Sequence, residues 1–374
     1  MKTSDFYFEL PKNLIAQHPT EERGQSRLMV MDKKNRRLEH RMVRELPSIL
    51  NSGTLMVFNN SRVRKGRLFG VSVETGAKAE FLLLDKIPVD KIPESGSGST
   101  PLGETGCAWR AMANRAGRRH PGSRYLFAGD VVAEIVGEAG EKGDAGKSGG
   151  EFRLLRFDRP IDDAWLDVHG HVPLPPYIKR EDSNSDAERY QTVYAEEYGS
   201  SAAPTAGLHF TNGLLRELER AGIETAFITL HVGLGTFFPV RAENLEDHKM
   251  HSEVFSISCE TVRKIEKARV EGRKILAVGT TSLRALESAC ISGQTDCGDG
   301  GMIKGGEGST SIFIYPGYVF RAVDALFTNF HTPESTLLML VSAFAGRDFI
   351  LESYMEAIKM SYRFFSYGDA CLIM

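Results

Sequence analysis

The sequence predicts an α/β fold: a discontinuous α/β main domain with a small β-barrel inserted into it. Three observations carry the prediction. From about residue 158 onward, strand-like and helix-like segments alternate, the pattern of a sheet covered by helices. Between residues 62 and 157, short strand-like runs punctuated by Gly, Ser and Pro replace that alternation. The chain's 374 residues exceed one domain of ordinary size. The expected division is 1–61 with 158–374 as an α/β catalytic domain, and 62–157 as the inserted barrel-like domain.

Residues 5–11 read as an extended lead-in. Residues 27–32 are an apolar strand before the polar turn Lys33-Lys34-Asn35, and residues 54–58 a second strand stopped by Asn59-Asn60-Ser61. Barrel strands are expected at 67–73, 79–84, 125–127, 131–136 and 152–157. Two biased stretches within that segment, 91–106 and 137–150, read as surface loops, and 292–310 as a third. Beyond residue 158 the expected order is a helix at 214–221 stopped by Gly222, a strand at 226–230, and an amphipathic helix at 261–270 before Gly272. There follow a strand at 274–278, a turn at 279–282, a helix at 283–289, strands at 312–314 and 325–329, and a helix at 333–344 with Pro in its first turn.

Composition excludes several classes. The hydrophobic fraction is 41% and the charged fraction 25%, ordinary for a protein with a real core. Net charge is -3, so any nucleic-acid contact must come from a local patch. Five cysteines with no CxxC pair argue against a disulfide framework or structural zinc, and for a reducing compartment. No window approaches the roughly 20 apolar residues of a membrane span. The N-terminus carries Asp5 and Glu9 where a signal core would be apolar.

The chemistry-bearing residues fall between Pro204 and Glu334. Residues 203–211 (APTAGLHFT) are small, letting a backbone approach a ligand, with Thr205, His209 and Thr211 as polar groups. Thr211 reads equally as a helix cap. Residues 230–241 (LHVGLGTFFPVR) offer His231, Gly233, Phe237, Phe238 and Arg241 at a strand's carboxyl end. Pro239 forbids the helix that a dinucleotide fingerprint needs there. His248 and His251 stand at i, i+3 with Glu253 nearby; they read as a polar turn or as two ligands of a metal that lacks a third. Residues 275–284 are a strand–turn–helix in which Gly279, Thr280 and free helix amides suit an anion, with Arg284 close enough to fork a carboxylate. Capping by Thr281 or Ser282 is the structural alternative. His331 and Glu334 sit around a helix start, either as an acid/base pair or as ordinary first-turn chemistry. Two runs are basic: Arg62, Arg64, Lys65 and Arg67, then Arg110 to Arg124. There is no P-loop, no strand-to-helix nucleophile elbow and no HExxH.

These blocks, together with SRLMV (26–30), FNNSRV (58–63), VPLPPYIKR (172–180), VGTTSLRALES (278–288), residues 312–346 and YRFFSYGDACLI (362–373), resemble the S-adenosylmethionine:tRNA ribosyltransferase-isomerase family of queuosine biosynthesis. The resemblance spans nearly the whole chain apart from the Gly-rich loops. It implies transfer and isomerisation of the ribosyl part of S-adenosylmethionine onto 7-aminomethyl-7-deazaguanine in a tRNA anticodon. Adenine and methionine leave, and the product is epoxyqueuosine. S-adenosylmethionine is then a consumed substrate, no cofactor or metal is needed, and the enzyme is a cytoplasmic monomer without membrane contact. On this reading His209, His231, His331 and Glu334 are acid/base candidates. Thr205, Gly233, Phe237, Arg241, Gly279, Thr280, Arg284, Tyr315, Thr332, Tyr367 and Asp369 are substrate-binding candidates. Arg62, Arg64 and Lys65 are candidates for holding tRNA. The chain departs from the expected pattern at Asn60, Ser61 and Ser201, and lacks an Asp after Arg23.

Competing readings from other classes are a metal-dependent hydrolase built on His248 and His251, and a non-catalytic RNA-binding protein using the β-rich segment.

Overall fold

A computed structural model describes residues 1–88, 108–139, 150–233, 240, 242–291 and 303–374. The expected loop at 91–106, the first part (292–302) of that at 292–310, most of that at 137–150, and the candidates Phe237, Phe238 and Arg241 lie outside the described residues.

The chain begins with an antiparallel pair, β1 (Arg27–Asp32) and β2 (Arg37–Met42), then α1 (Leu46–Ile49), β3 (Leu55–Asn59) and β4 (Ser61–Val63). Six strands follow: β5 (Arg67–Ser72), β6 (Lys78–Ile87), β7 (Ala108–Ala113), β8 (Arg124–Phe127), β9 (Val131–Ala139) and β10 (Phe152–Phe157). The chain returns through α2 (Asp163–His169), α3 (Asn184–Arg189) and β11 (Glu197–Ser200). The remainder is α4 (Asn212–Arg220), β12 (Glu224–Leu230), β13 (Glu253–Ile257), α5 (Cys259–Val270), β14 (Ile275–Val278), α6 (Thr280–Ile291), β15 (Gly306–Thr310), β16 (Ala325–Asn329), α7 (Thr336–Ala345), α8 (Arg347–Lys359) and β17 (Ala370–Ile373).

Nine strands form one sheet in the order β15-β13-β12-β3-β14-β16-β17-β1-β2. Its centre explains the continuous apolar runs in the sequence. Leu55 and Val57 of β3, and Ile275 and Ala277 of β14, pack into one core. Their neighbours Met56, Phe58, Leu276 and Val278 pack into another on the opposite face. Successive side chains point to opposite faces, and both faces are covered, so no position along these strands favours a polar residue. On one face Ile265 of α5, Leu286 of α6, Leu340 of α7 and Tyr354 of α8 join the core. On the other, Leu46 of α1, Leu214 and Leu218 of α4, and Phe210 do so.

The six strands β5–β10 close into a barrel in the order β10-β7-β6-β5-β8-β9. Here alternation governs: β5 buries every second residue, and the interior is filled by Phe81, Trp109, Tyr125, Phe127, Leu155 and Phe157 among others. β4 and β11 pair in parallel beside it. The expected fold class is therefore the observed one.

Several elements differ from their expected form. Residues 312–314 are not a strand, although Ile314 is buried. Part of the stretch read as a loop at 292–310 is β15, an edge strand with two glycines and no apolar side chain to announce it. Residues 3–6 form a 3-10 turn, so the lead-in is extended only after Phe6. The turn read at 279–282 shrinks to Gly279, because α6 starts at Thr280. α7 starts three residues after Pro333, where Ser335 caps it by accepting the Leu338 amide. Cys290 and Cys371 are free and buried, whereas Cys259 is disulfide-bonded, an exception to the expectation of reduced cysteines.

One buried carboxylate pins the approach to β16. Glu287 of α6 is fully buried and accepts the amides of Arg321 (3.0 Å), Ala322 (2.9 Å) and Val323 (3.2 Å), and the Tyr318 hydroxyl (3.1 Å). Truncation would orphan three amides, each costing about 1–3 kcal/mol when buried. Glu287→Ala is therefore expected to lower unfolding stability by roughly 3 kcal/mol or more in urea titrations. Glu287→Gln, which keeps an acceptor, loses less; an unchanged midpoint for the alanine variant would contradict this role.

Candidate active site

β3, β12, β14 and β16 run parallel, and their carboxyl ends open on one side of the sheet. A cleft of about 380 Å³ lies there. This is where open α/β sheets place ligands, because the strands end, the helices begin, and the loops diverge. The cleft is walled by residues 202–206, 279–281, 328–337, 365–366 and 175–177.

Each wall has a local cause. Gly279 turns β14 into α6 with φ +90°, a conformation that L side chains rarely adopt. α6 therefore starts at the cleft, and its first-turn amides and dipole present a positive end beside Thr280 and Thr281. Across the cleft two non-glycine residues also hold positive φ, Glu334 (56°) and Phe365 (71°). Glu334 is kept there by its amide, which donates to the Phe6 carbonyl at 3.1 Å. Strained backbone concentrated at a cleft is a mark of function.

Asn329, the last residue of β16, ties the walls together. Its Nδ2 donates to His209 Nε2 (3.0 Å) and to the Phe365 carbonyl (3.1 Å). Its Oδ1 accepts the Thr205 hydroxyl at 3.2 Å. Because His209 Nε2 accepts, its proton sits on Nδ1, which donates to Ser26 Oγ at 2.9 Å. Both ring nitrogens of His209 are thus engaged, and the ring is not part of the cleft wall. Burial, with Arg23 and Arg363 nearby, pushes its pKa down to about 3. The geometry makes His209 a positioning residue behind Asn329 rather than an acid/base group in the cleft.

His331 does line the cleft. Its Nε2 meets Thr328 Oγ1 at 3.0 Å and its amide donates to the Tyr354 hydroxyl at 3.1 Å. Burial alone pushes its pKa down to about 3, so the imidazole is neutral at ordinary pH. Thr205, Gly279, Thr280, Thr332 and Glu334 share the same cavity. Sequence reasoning did not single out Asn329, Tyr177, Tyr190 or Ser366. Asn329 carried a signal, a polar residue ending an otherwise apolar strand. Tyr190 carried none. Its buried hydroxyl makes no hydrogen bond of good geometry and has only weak approaches to Ser366 and the Ala203 backbone of the cleft.

The other candidates lie elsewhere. His231 packs against Gly199, away from the cleft, and its buried Nδ1 lacks a partner. Burial and Arg64 lower its pKa. Arg284 is locked in a buried ion pair with Glu253, which also accepts the Gly233 amide at 3.0 Å. Its fork is therefore committed, apart from the buried Nη2, which has no partner. Tyr315 stacks on Phe313. Tyr367 donates to Asp186 at 2.7 Å, while Asp369 accepts the Arg27 and Arg363 amides and the Arg27 guanidinium. Both belong to fixed internal networks, because buried polar groups must be paired. Thr211 caps α4 through the Leu214 amide at 3.0 Å. Among the described residues no group of three or more His, Cys, Asp and Glu is placed to hold a metal, and His248 lies edge-on against Phe313. No helix among them is long and apolar enough to cross a membrane. Arg64 pairs with Asp163 at 2.5 Å, Lys65 donates to the Asp167 carbonyl at 2.8 Å, and Arg62 stacks 4.7 Å over Tyr198.

The two buried histidines carry a pH signature. Each is held neutral down to a pKa of about 3, against 6.5 when unfolded. Between those values the unfolded chain binds more protons, so stability falls as pH drops through that window. The expected slope approaches about 1.4 kcal/mol per pH unit for each histidine. The double variant His209→Gln, His331→Gln is expected to flatten it in chemical denaturation at pH 7 and pH 4.5; an unaltered slope would refute the assignment.

The family described as "Queuosine biosynthesis protein" matches residues 3–373. Curated relatives named S-adenosylmethionine:tRNA ribosyltransferase-isomerase are 51% identical in Treponema denticola, 48% in Acetivibrio thermocellus and 45% in Clostridioides difficile, in each case over all of both chains. A crystal structure of S-adenosylmethionine tRNA ribosyltransferase from Thermotoga maritima is 34% identical, with a TM-score of 0.52, covering 99% of this chain and 100% of that one. Match and coverage run from end to end, barrel and sheet together, and on that basis the chain belongs to the queuosine biosynthesis protein family.

Proposed function

We propose that this chain is an S-adenosylmethionine:tRNA ribosyltransferase-isomerase. It transfers and isomerises the ribosyl moiety of S-adenosylmethionine onto 7-aminomethyl-7-deazaguanine in a tRNA anticodon. Epoxyqueuosine forms, and adenine and methionine are released. The observation that carries this reading is the full-length identity of 45–51% to relatives bearing that name. S-adenosylmethionine is consumed as a substrate, and no separate cofactor enters. Work in the cytoplasm, as a monomer, is part of the same reading.

The cleft supports a division of labour. The sulfonium acidifies the neighbouring C5′ proton, so a base near that carbon starts the reaction. Glu334 is the better candidate than His331, because an imidazole with a pKa of about 3 is a poor proton acceptor near neutrality. A carboxylate is also attracted to the sulfonium, whereas an imidazolium formed beside it would be repelled. His331 then serves as a neutral hydrogen-bonding group. The amide end of α6, with Thr280 and Thr281, suits the methionine carboxylate. His209, through Asn329 and Thr205, holds that wall in place.

Adenine release from S-adenosylmethionine, followed with precursor tRNA, tests both the activity and the roles. Glu334→Gln is expected to lower kcat by about 10²–10⁴-fold with little change in S-adenosylmethionine binding. A variant turning over near the wild-type rate would remove Glu334 from the base role.

Tyr190→Phe separates binding from folding. The buried hydroxyl makes no hydrogen bond of good geometry in the free protein, only weak approaches to Ser366 and the Ala203 backbone, so its removal is expected to leave the melting temperature nearly unchanged. The same change is expected to raise the S-adenosylmethionine Kd by about tenfold if the ligand supplies the missing partner. An unchanged Kd would exclude Tyr190 from the ligand site.

A further inference from the structure

A second cavity of about 220 Å³ adjoins the cleft. Tyr190 lines both cavities, so the two are neighbours. Arg62, Lys65 and Gln191 are among its other walls. The cavity sits at β4, which links β3 of the main sheet to β5 of the barrel, beside α2 and α3.

The side chains differ in what they have left to offer. Gln191 is tied to the backbone of β4: its Oε1 accepts the Val63 amide at 3.0 Å, and its Nε2 donates to the Val63 carbonyl at 3.2 Å. It fixes β4 and shapes the wall. Lys65 uses one of its three ammonium protons on the Asp167 carbonyl, at 2.8 Å. Arg62 is the open group. Its guanidinium carbon stands 4.7 Å over the Tyr198 ring, and its buried Nε has no hydrogen-bond partner. Arg64, two residues on, is bound to Asp163, so the difference between them is built into the fold.

The charges facing the cavity favour an anion. Arg62 and Lys65 line it together with Asp167 and Asp186. Asp186 is already held by Arg180 at 2.6 Å and by the Tyr367 hydroxyl at 2.7 Å. Asp167 accepts the Tyr198 hydroxyl at 3.0 Å, which also fixes the ring beneath Arg62. Arg180, outside the cavity wall, balances Asp186, which leaves Arg62 and Lys65 against Asp167 alone. A guanidinium held over a ring, with N–H groups unpaired, matches the paired oxygens of a phosphate.

We propose that this cavity is a phosphate subsite. It takes the backbone phosphodiester next to the nucleotide whose base enters the cleft, with Arg62 as the principal ligand and Lys65 as the second. This rests on the reading of the substrate as tRNA. Such a contact fixes register and carries no base sequence information, so it positions the target nucleotide beside the cleft.

The test uses an anticodon stem-loop RNA carrying the precursor base, with binding followed by fluorescence anisotropy over a range of KCl concentrations. Arg62→Gln and Lys65→Met are compared with the wild type, and melting curves check that each variant is folded. Arg62→Gln is expected to weaken RNA binding about tenfold and to reduce the salt slope by about 0.7–0.9, the share of one phosphate contact, with Lys65→Met giving a smaller loss of the same kind. S-adenosylmethionine affinity is expected to stay unchanged in both. Replacing a single phosphate beside the target nucleotide by a neutral methylphosphonate reproduces the loss on the wild type and adds nothing on Arg62→Gln. Wild-type RNA affinity and salt slope in both variants would overturn the proposal. So would protection of the wild type by inorganic phosphate alone, abolished by Arg62→Gln while RNA affinity is untouched, because the occupant would then be a free phosphate. A wild-type protein that releases no adenine with this RNA would instead defeat the tRNA reading itself.

Discussion

The side chain of Asn329 is the point on which the cleft depends. It is a carboxamide at the end of a strand whose five residues are all buried. Its three hydrogen bonds join the segment after β11, the tail before β17, and the ring of His209. Removing water from such an amide is costly unless every polar atom finds a partner, so one arrangement of the three segments satisfies it and small displacements do not. The tautomer of His209 follows from the same requirement, and so does its bond to Ser26 at the start of β1. A second amide does comparable work nearby. Asn59 at the end of β3 accepts the Ser61 and Leu230 amides and donates to the Leu230 carbonyl, replacing a rung of sheet where the backbones part.

Much of the fold was legible because burial imposes simple patterns. The all-apolar stretches at β1, β3, β14 and β16 announce strands covered on both faces, and the alternation at β5 announces a barrel wall. What escaped lacks those patterns. β2 is largely exposed and polar, carrying Arg37, Glu39, His40 and Arg41, so nothing in its composition separates it from a loop. β15 is made of Gly, Glu, Ser and Thr. Residues 312–314 have strand composition but no neighbouring strand to pair with, and propensity without a partner does not make a strand.

The site was legible as segments and not as roles. The stretches around residues 205, 279 and 331 do converge on one cleft. Which side chains face the cavity depends on contacts made across the sheet, and these leave no local trace. His209 and His331 look alike in sequence, yet one ring is consumed by Ser26 and Asn329 while the other lines the cleft. Arg284 looks available until Glu253, thirty-one positions away, closes on it. Residue type reports which chemistry a group can do; its neighbours in space decide whether it is free to do it.

β17 has a consequence for how the molecule comes together. Residues 370–373 lie between β16 and β1, antiparallel to β16 and parallel to β1. Without them β1 and β2 have no edge to join, although both precede the barrel in the chain. The barrel's strands, by contrast, find their partners within residues 67–157. During synthesis the barrel can close while the larger sheet is still in two pieces, with the apolar faces of β1 and β16 uncovered. The main sheet is thus the slow and aggregation-exposed half of the molecule, and its last piece is made last.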